Sequence, residues 1–393
     1  MTRRLRVLSL STLYPNDHTP NFGVFVERQM QAGMRRGDVD LVLVNPIGLP
    51  PFPLSLHPRY APLRAVAAHE ERGGVSVLRP RFPLLPGIGG RFNAAAVTRA
   101  VLPLAHRLHA EAPFDLVDAQ FFHPDGAAAV RIGAALRLPV SIKARGADIH
   151  HWGKAPGTAA QVLDAGLKAQ GLLAVAGGIA DDMAALGIPR GKITIHRTGL
   201  DRSVFRPHDQ AEARAALGLH QDRPLLACVG ALIPRKGQVF AIEALAELPQ
   251  AELLLSGSGP DEAMLRARAA ALGLTDRVHF LGAVPHGELP RVLSAADVFV
   301  LPTASEGLAN AWVEALACGT PVVTTPIPGA LELLTDPAWG RTAERSGPAF
   351  AKAIREVLAN PPARADVLRG AEPFSWEANA AALVDYWQRL AGR

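Results

Sequence analysis

At 393 residues the chain is too long for one compact core, and two domains of about 150–200 residues are expected. A hydrophobic content of 49% with 20% charged residues excludes a disordered chain. The net charge of +5 is unevenly spread: residues 1–110 hold fourteen arginines, no lysine and six acids, a balance of +8, which leaves −3 for the rest.

That basic first region suits anionic lipid or an acidic acceptor, unless it reflects arginine-rich coding alone. No nucleic-acid motif and no aromatic–basic interleaving accompanies it, so nucleic acid is not an expected partner. Cys228 and Cys318 sit in apolar patterns without disulfide or zinc spacing, as expected of buried thiols in a reducing compartment. No apolar run is long enough to span a membrane, and the Val7–Leu13 stretch is too short and polar for a signal peptide. The expected location is cytoplasmic, with peripheral association at the inner face of the plasma membrane as a further expectation.

In chain order, residues 4–10 read as a first strand, followed by a turn-rich loop from Tyr14 to Gly23 and a helix from Val24 to Met34. Gly23 at the helix entrance lets a phosphate approach the backbone, or is a simple turn residue. Residues 39–45 make a second strand. Residues 46–63 and 80–92 are Pro-rich, apolar and flanked by arginine; they read as long loops that cradle a lipid-linked acceptor, touch a bilayer or pack as ordinary surface. Residues 114–118 form a strand leading to Gln120, His123 and a helix of small residues. The strand 140–143 precedes Arg145-Gly146-Ala147-Asp148, in which Arg145 and Asp148 form a local ion pair or line a site. A helix at 159–169, a strand at 171–176 and a helix at 178–186 continue the alternation to Thr198-Gly199-Leu200-Asp201, where the first domain ends.

The second domain opens with strand 225–229, then Gly230 to Gly237 and a helix. Adjacent cations at Arg235 and Lys236 ahead of a helix suit a diphosphate, Lys as a point charge and Arg as a fork, although exposed Arg-Lys pairs are common. Gly257-Ser258-Gly259-Pro260 lacks the third glycine of a dinucleotide fingerprint. Strands are expected at 278–284 and 297–301. Then comes FVLPTASEGLANAWVEALACGTPVVTT, residues 299–325: a strand, a small polar turn, a helix from Gly307 ending at Gly319, and another strand. Glu306 and Glu314 bracket this helix, an offset of roughly 12 Å in helical rise. That matches the reach of a nucleotide sugar, with helix N–H groups holding the diphosphate between them; two solvated glutamates are the plain alternative. A final helix starts near Ser375. Alternating strands and helices in both halves imply two doubly wound parallel sheets.

Glu306, Gly307, Glu314, Ala315, Gly319, Pro321, Val322 and Val323 together resemble the E-x7-E signature of glycosyltransferase family 4, the retaining group 1 enzymes of GT-B fold. The similarity extends over essentially the whole chain, and Phe22-Gly23-Val24-Phe25-Val26-Glu27-Arg28-Gln29 resembles the branch making teichuronic-type surface polysaccharides. The resemblance implies an α/β fold of two Rossmann-like domains facing an interdomain cleft. They are expected at 1–206, acceptor-side, with the 374–393 helix crossing back, and at 207–373, donor-binding. It implies transfer of a sugar from a nucleotide-diphosphate sugar to a glycan or lipid-linked acceptor, with no cofactor and no metal. Lys236, Arg235 and Glu306 are the implied catalytic residues. Gly23, Val284, Glu306, Gly307, Leu308, Asn310, Ala311 and Glu314 are the implied donor contacts, and Gln120, His123, Arg145 and Asp148 the acceptor-side candidates. Two departures stand out: Gln120 replaces the family's histidine, and Ala231 replaces its arginine after the strand glycine. These motivate two alternatives, a nucleotide-sugar-binding protein impaired in catalysis and another GT-B activity such as epimerisation.

Overall fold

The computed structural model describes residues 3–20, 22–87 and 89–393. Asn21 of the first loop and Ile88 of the 80–92 segment lie outside the described residues, as do Met1 and Thr2. The chain divides into two compact units, residues 1–199 with 376–393 and residues 200–375. The division falls a few residues before the expected 206/207 boundary, because Leu200 and Phe205 already pack into the core of the second unit.

The sheet of the first unit has the order Ile193–Ile195, Gly171–Ala174, Val140–Ala144, Leu116–Ala119, Leu5–Leu10, Val39–Val44, Val75–Leu78, His69–Arg72. All neighbours pair in parallel except the last strand, which closes an antiparallel hairpin at the edge. The strand order reverses between Leu5–Leu10 and Leu116–Ala119, and at such a switch point the following loops part to leave a crevice. Runs such as residues 41–44 (LVLV) are apolar on both faces because helices cover both sides of a parallel sheet. The C-terminal helix Trp376–Leu390 packs here, with Leu383, Val384 and Trp387 against Val26 and Met30 of the helix Val24–Arg35.

The Pro-rich segments are more ordered than expected. Ile47–Leu49 pairs in parallel with Arg81–Pro83, Ala61–Ala65 is a short helix, and Gly90 begins a helix that runs to Glu111. Their backbone groups are thus satisfied largely within small elements.

The second unit is an all-parallel sheet ordered Val278–Gly282, Glu252–Ser256, Leu225–Val229, Val298–Leu301, Val322–Thr324, Gly340–Thr342. Its switch point lies between Leu225–Val229 and Val298–Leu301. The loops that leave these two strands are residues 230–237 and 302–309, so topology alone brings Arg235, Lys236 and Glu306 to one edge. Cys228 and Cys318 lie buried in this core, and burial pushes both thiols up to about 12, which keeps them unreactive. Among the described residues no helix is long and apolar enough to cross a membrane.

Candidate active site

The loop 230–237 is held in shape by its own bonds. Gln238 donates its side-chain amide to Ala231 O at 2.9 Å, and Lys236 N–H returns to Ile233 O at 3.0 Å. Gly237 has φ +71°, and a Cβ there would collide with the carbonyl of Pro302. Only glycine lets this loop lie directly against the exit of strand Val298–Leu301. Ala304 N–H donates to Arg235 O at 2.8 Å, fastening one loop to the other.

Across this seam the charges meet. Arg235 Nη1 and Lys236 Nζ both donate to Glu306 Oε1, each at 2.6 Å, and the hydroxyl of buried Thr303 adds a third bond to the same oxygen at 3.1 Å. Lys236 and Glu306 are mostly buried, with side chains 15% and 14% exposed, whereas Arg235 is 45% exposed. The cluster carries a net charge of +1. The Arg235 guanidinium thus reaches the same carboxylate as Lys236.

Arg345 is a participant that the sequence reading missed. Its Nε donates to Pro302 O at 2.8 Å, its Nη2 to Pro234 O at 2.6 Å, and its guanidinium lies 4.9 Å over the Phe240 ring. It clamps the cationic loop to the loop carrying Glu306 without touching the carboxylate. A lone cation before the Ser346 helix cap gives no periodic signal that would reveal this.

The helix after Glu306 begins later than the sequence suggests. It spans Asn310–Ala317, with Ala309 as an N-cap that offers no side-chain bond, so the bare N–H groups follow Ala309 and not Gly307. The carbonyl of Gly307 is instead turned against Gly329, which leaves no room for a Cβ there. The expected continuous rise from Glu306 to Glu314 is therefore not the geometry; Glu314 is the fifth residue of a helix that Glu306 precedes by a bend. At its end Thr320 N–H returns to Ala315 O at 2.9 Å, where Gly319 turns the chain.

Glu314 is 8% exposed and sits 3.1 Å from His286 Nε2, whose ring meets Phe205 edge-on at 4.7 Å. His286 follows Val284 by two residues, so this contact draws the turn after Val278–Gly282 toward Glu314. Val284, Leu308, Asn310 and Ala311 are all half-buried around these loops.

In the first unit the candidates fare differently. Gly23 caps the helix Val24–Arg35 with φ +77°, and a Cβ would meet the backbone of Leu13 and Tyr14, so its identity already follows from packing. Gln120 is fully buried. Its Oε1 accepts from Gln29 at 2.9 Å and from Arg145 Nη2 at 2.5 Å, and its Nε2 donates to Asp118. The amide expected to face an acceptor is thus engaged inside the protein. Arg145 and Asp148 do not form the expected ion pair of side chains. The Asp148 carboxylate accepts the backbone N–H groups of Arg145, Gly146 and Phe122, while the Arg145 guanidinium turns to Gln120. His123 is 1% exposed, with Nε2 2.8 Å from Gly90 O and its ring against Trp152; burial lowers its pKa. Its ring is thus engaged inside the protein.

The Gln120 network continues inward. Lys143, fully buried, donates to Gln29 Oε1 at 3.0 Å and to His196 Nδ1 at 2.7 Å, and His196 Nε2 donates to Asn379 O in the C-terminal helix. Burial, then the Arg145 charge, depresses Lys143; burial, then Lys143, pushes His196 down to about 2, so this imidazole stays neutral. Trp387 donates to Asp118 Oδ1 at 3.1 Å, tying the same helix to the start of the network. Asp118 is raised chiefly by burial, and Arg145 falls to about 10 for the same reason.

Residues 209–372 match the family described as glycosyl transferases group 1. TuaC of Bacillus subtilis (strain 168), named for teichuronic acid biosynthesis, is 28% identical over 89% of this chain and 88% of its own length. D-inositol 3-phosphate glycosyltransferase of Mycobacterium leprae (strain Br4923) is 35% identical; that match spans about half of each chain, 51% and 50%. Among solved structures, sucrose-phosphate synthase of Thermosynechococcus elongatus superposes with a TM-score of 0.79 at 21% identity, over 99% of this chain and 100% of the other. Anabaena HepE, in complex with UDP and glucose, gives 0.75 at 18%, covering 98% and 99%. The fold is that of the GT-B glycosyltransferases, and the second unit is similar to the group 1 family. The similarity to TuaC runs through both units.

Proposed function

We propose that this protein is a retaining transferase of the family 4 type. It moves a sugar from a nucleotide-diphosphate sugar to a glycan or lipid-linked acceptor in surface polysaccharide synthesis. The observation that carries the reading is the meeting of Arg235, Lys236 and Glu306 at the switch point of the second sheet, beside the uncapped helix Asn310–Ala317. As the glycosidic bond loosens, negative charge accumulates on the departing diphosphate. Lys236 and Arg235 neutralise it, helped by the N–H groups of the helix entrance. Glu306, relieved of its two cations, accepts hydroxyls of the transferred sugar, and Glu314 accepts the ribose diol. In this reading the neutralising charge is all side-chain and backbone, and no metal or cofactor is required. Similarity to TuaC supports the polysaccharide assignment, and the UDP and glucose held by HepE support a nucleotide-sugar donor.

The test is thermal stabilisation by a panel of nucleotides and nucleotide sugars, on wild type and on Glu314→Ala. A ligand that binds only the folded chain raises its apparent stability. One nucleotide class should shift the wild type by several degrees at millimolar concentration, and the variant should lose most of that shift. No shift with any nucleotide overturns the donor site and the transferase reading with it.

A further inference from the structure

Two chain excursions of the first unit leave the same point of the fold. Leu49 and Pro83 are paired at the end of the two-stranded sheet, and Leu84 N–H donates to Leu49 O at 2.9 Å. From there the chain continues into residues 50–66 on one strand and into 84–87 and 89–93 on the other, and Arg59 and Tyr60 share a cavity with Leu84, Leu85, Arg91 and Phe92. Among the described residues nine large apolar side chains stand exposed, and five of them lie on these excursions: Phe52, Leu54, Leu56, Leu85 and Phe92, with Phe52 80% exposed. Scattered exposed apolar residues need no explanation, but five on two short segments that leave one small sheet do.

The charge around them is one-sided. Residues 46–66 and 80–93 contain four arginines, Arg59, Arg64, Arg81 and Arg91, and no Asp or Glu. Arg59, Arg64 and Arg91 are exposed. Between the excursions lies a cavity of about 890 Å³, to which Arg59, Tyr60, Leu85, Arg91, Phe92 and Trp152 contribute. Prolines 50, 51, 53, 58, 62, 83 and 86 stiffen both segments, so little conformational freedom is left to lose on docking.

We propose that these paired excursions are a docking surface for an anionic lipid bilayer. The apolar tips enter the headgroup boundary while the arginines meet lipid phosphates, a two-component adhesion in which neither part suffices alone. Charge complementarity selects a membrane over a protein partner, since phenylalanine and leucine tips on segments that hold arginine and no acid match an interface that is apolar within and anionic at its rim. This surface goes beyond the donor-site reading, and all its residues lie in the other unit.

The test is co-sedimentation of the full chain with phosphatidylglycerol–phosphatidylcholine vesicles and with pure phosphatidylcholine. It compares wild type, Phe52→Ser/Phe92→Ser, Arg59→Glu/Arg91→Glu and a control, Met264→Ser, at low and physiological salt. Thermal midpoints and the nucleotide shift, measured on every variant, establish that each is folded and that the donor site is intact. Wild type and control should partition onto anionic vesicles only, more weakly at higher salt. Each double variant should partition roughly tenfold less or worse. The proposal is overturned if wild type ignores anionic vesicles, if it binds phosphatidylcholine equally, or if the variants bind as wild type does. Failure to bind any vesicle would leave this face to a protein partner.

Discussion

Glu306 holds both cations through a single oxygen, and this makes Glu306→Gln a discriminating perturbation. Two opposite effects are expected. For stability, the amide oxygen retains a weaker acceptor but loses the ion pairs. The Lys236 pair is mostly shielded, whereas the Arg235 pair is half in water and contributes little, so the loss should be about 2 kcal/mol. For a unit of this size that lowers the midpoint by roughly 4–8 °C.

For binding, a nucleoside diphosphate must take Lys236 and Arg235 away from Glu306. Removing that carboxylate ends the competition and raises the local charge from +1 to +2. A unit charge ~8 Å from a phosphate at an effective dielectric of ~20 contributes roughly 2 kcal/mol, less after screening. The variant should therefore bind UDP, GDP or ADP, whichever the wild type prefers, about tenfold more tightly. The sugar nucleotide should gain less, because the acceptor of its hydroxyls is gone. Calorimetric titration at two salt concentrations and a melting curve read both effects. A less stable protein that binds the diphosphate no better, or more weakly, would refute the idea that Glu306 and the diphosphate compete for the same cations.

Two further outcomes follow from the same structure. Arg345→Ala should raise KM for the donor several-fold, because the loop bearing Lys236 loses its clamp, and Arg345→Lys should restore part of it; an unchanged KM means the clamp is irrelevant to the site. Asp125, buried with its carboxylate on Thr12, is pushed up to about 7, chiefly by burial, against about 3.9 in the unfolded chain. Its contribution to stability is fully present below pH ~4 and is lost as pH rises through 7, up to about 4 kcal/mol in all. Asp125→Asn should remove that slope, so its stability relative to wild type should rise between pH 4 and 7 in chemical denaturation. A constant difference would place the titration elsewhere. The comparison must be between variants, since neutral His196 gives the opposite slope below pH ~6.5.

The strands were legible for a definite reason. Runs such as residues 225–229 and 298–301 are apolar on both faces, and a parallel sheet covered on both sides requires that. The Gly237 and Gly319 turns were legible too, because each closes or opens a helix. The helix Gly90–Glu111 was not, since Pro103 lies inside it and two glycines precede it. The edge hairpin His69–Arg72 and Val75–Leu78 hides because its outer strand, HEER, is polar. An edge strand facing water needs no apolar pattern, and charge there discourages further pairing.

The site was legible where topology decides it and obscure where side-chain direction does. Arg235, Lys236 and Glu306 lie on the two loops that leave the strands flanking a switch point, and any strand order with that reversal brings such loops together. The first unit has the same reversal, so Gln120 and Arg145 were equally reasonable choices by position. What position does not reveal is that Gln29, Lys143, His196 and Asn379, up to 350 residues apart, close a buried chain of hydrogen bonds behind them. Gln can donate and accept at once, and here it does both: it receives Gln29 and Arg145 and donates to Asp118. A histidine at 120 could not donate to Asp118 while accepting two donors on a single nitrogen. The replacement is therefore consistent with its surroundings, and Gln29, within the 22–29 run, is one of the partners that make it so. The C-terminal helix completes the chain through Trp387 and Asn379. Its packing on the first unit thus fixes the orientation of the Arg145 guanidinium by way of Asp118 and Gln120, which gives the long return of the chain a chemical consequence beyond core packing.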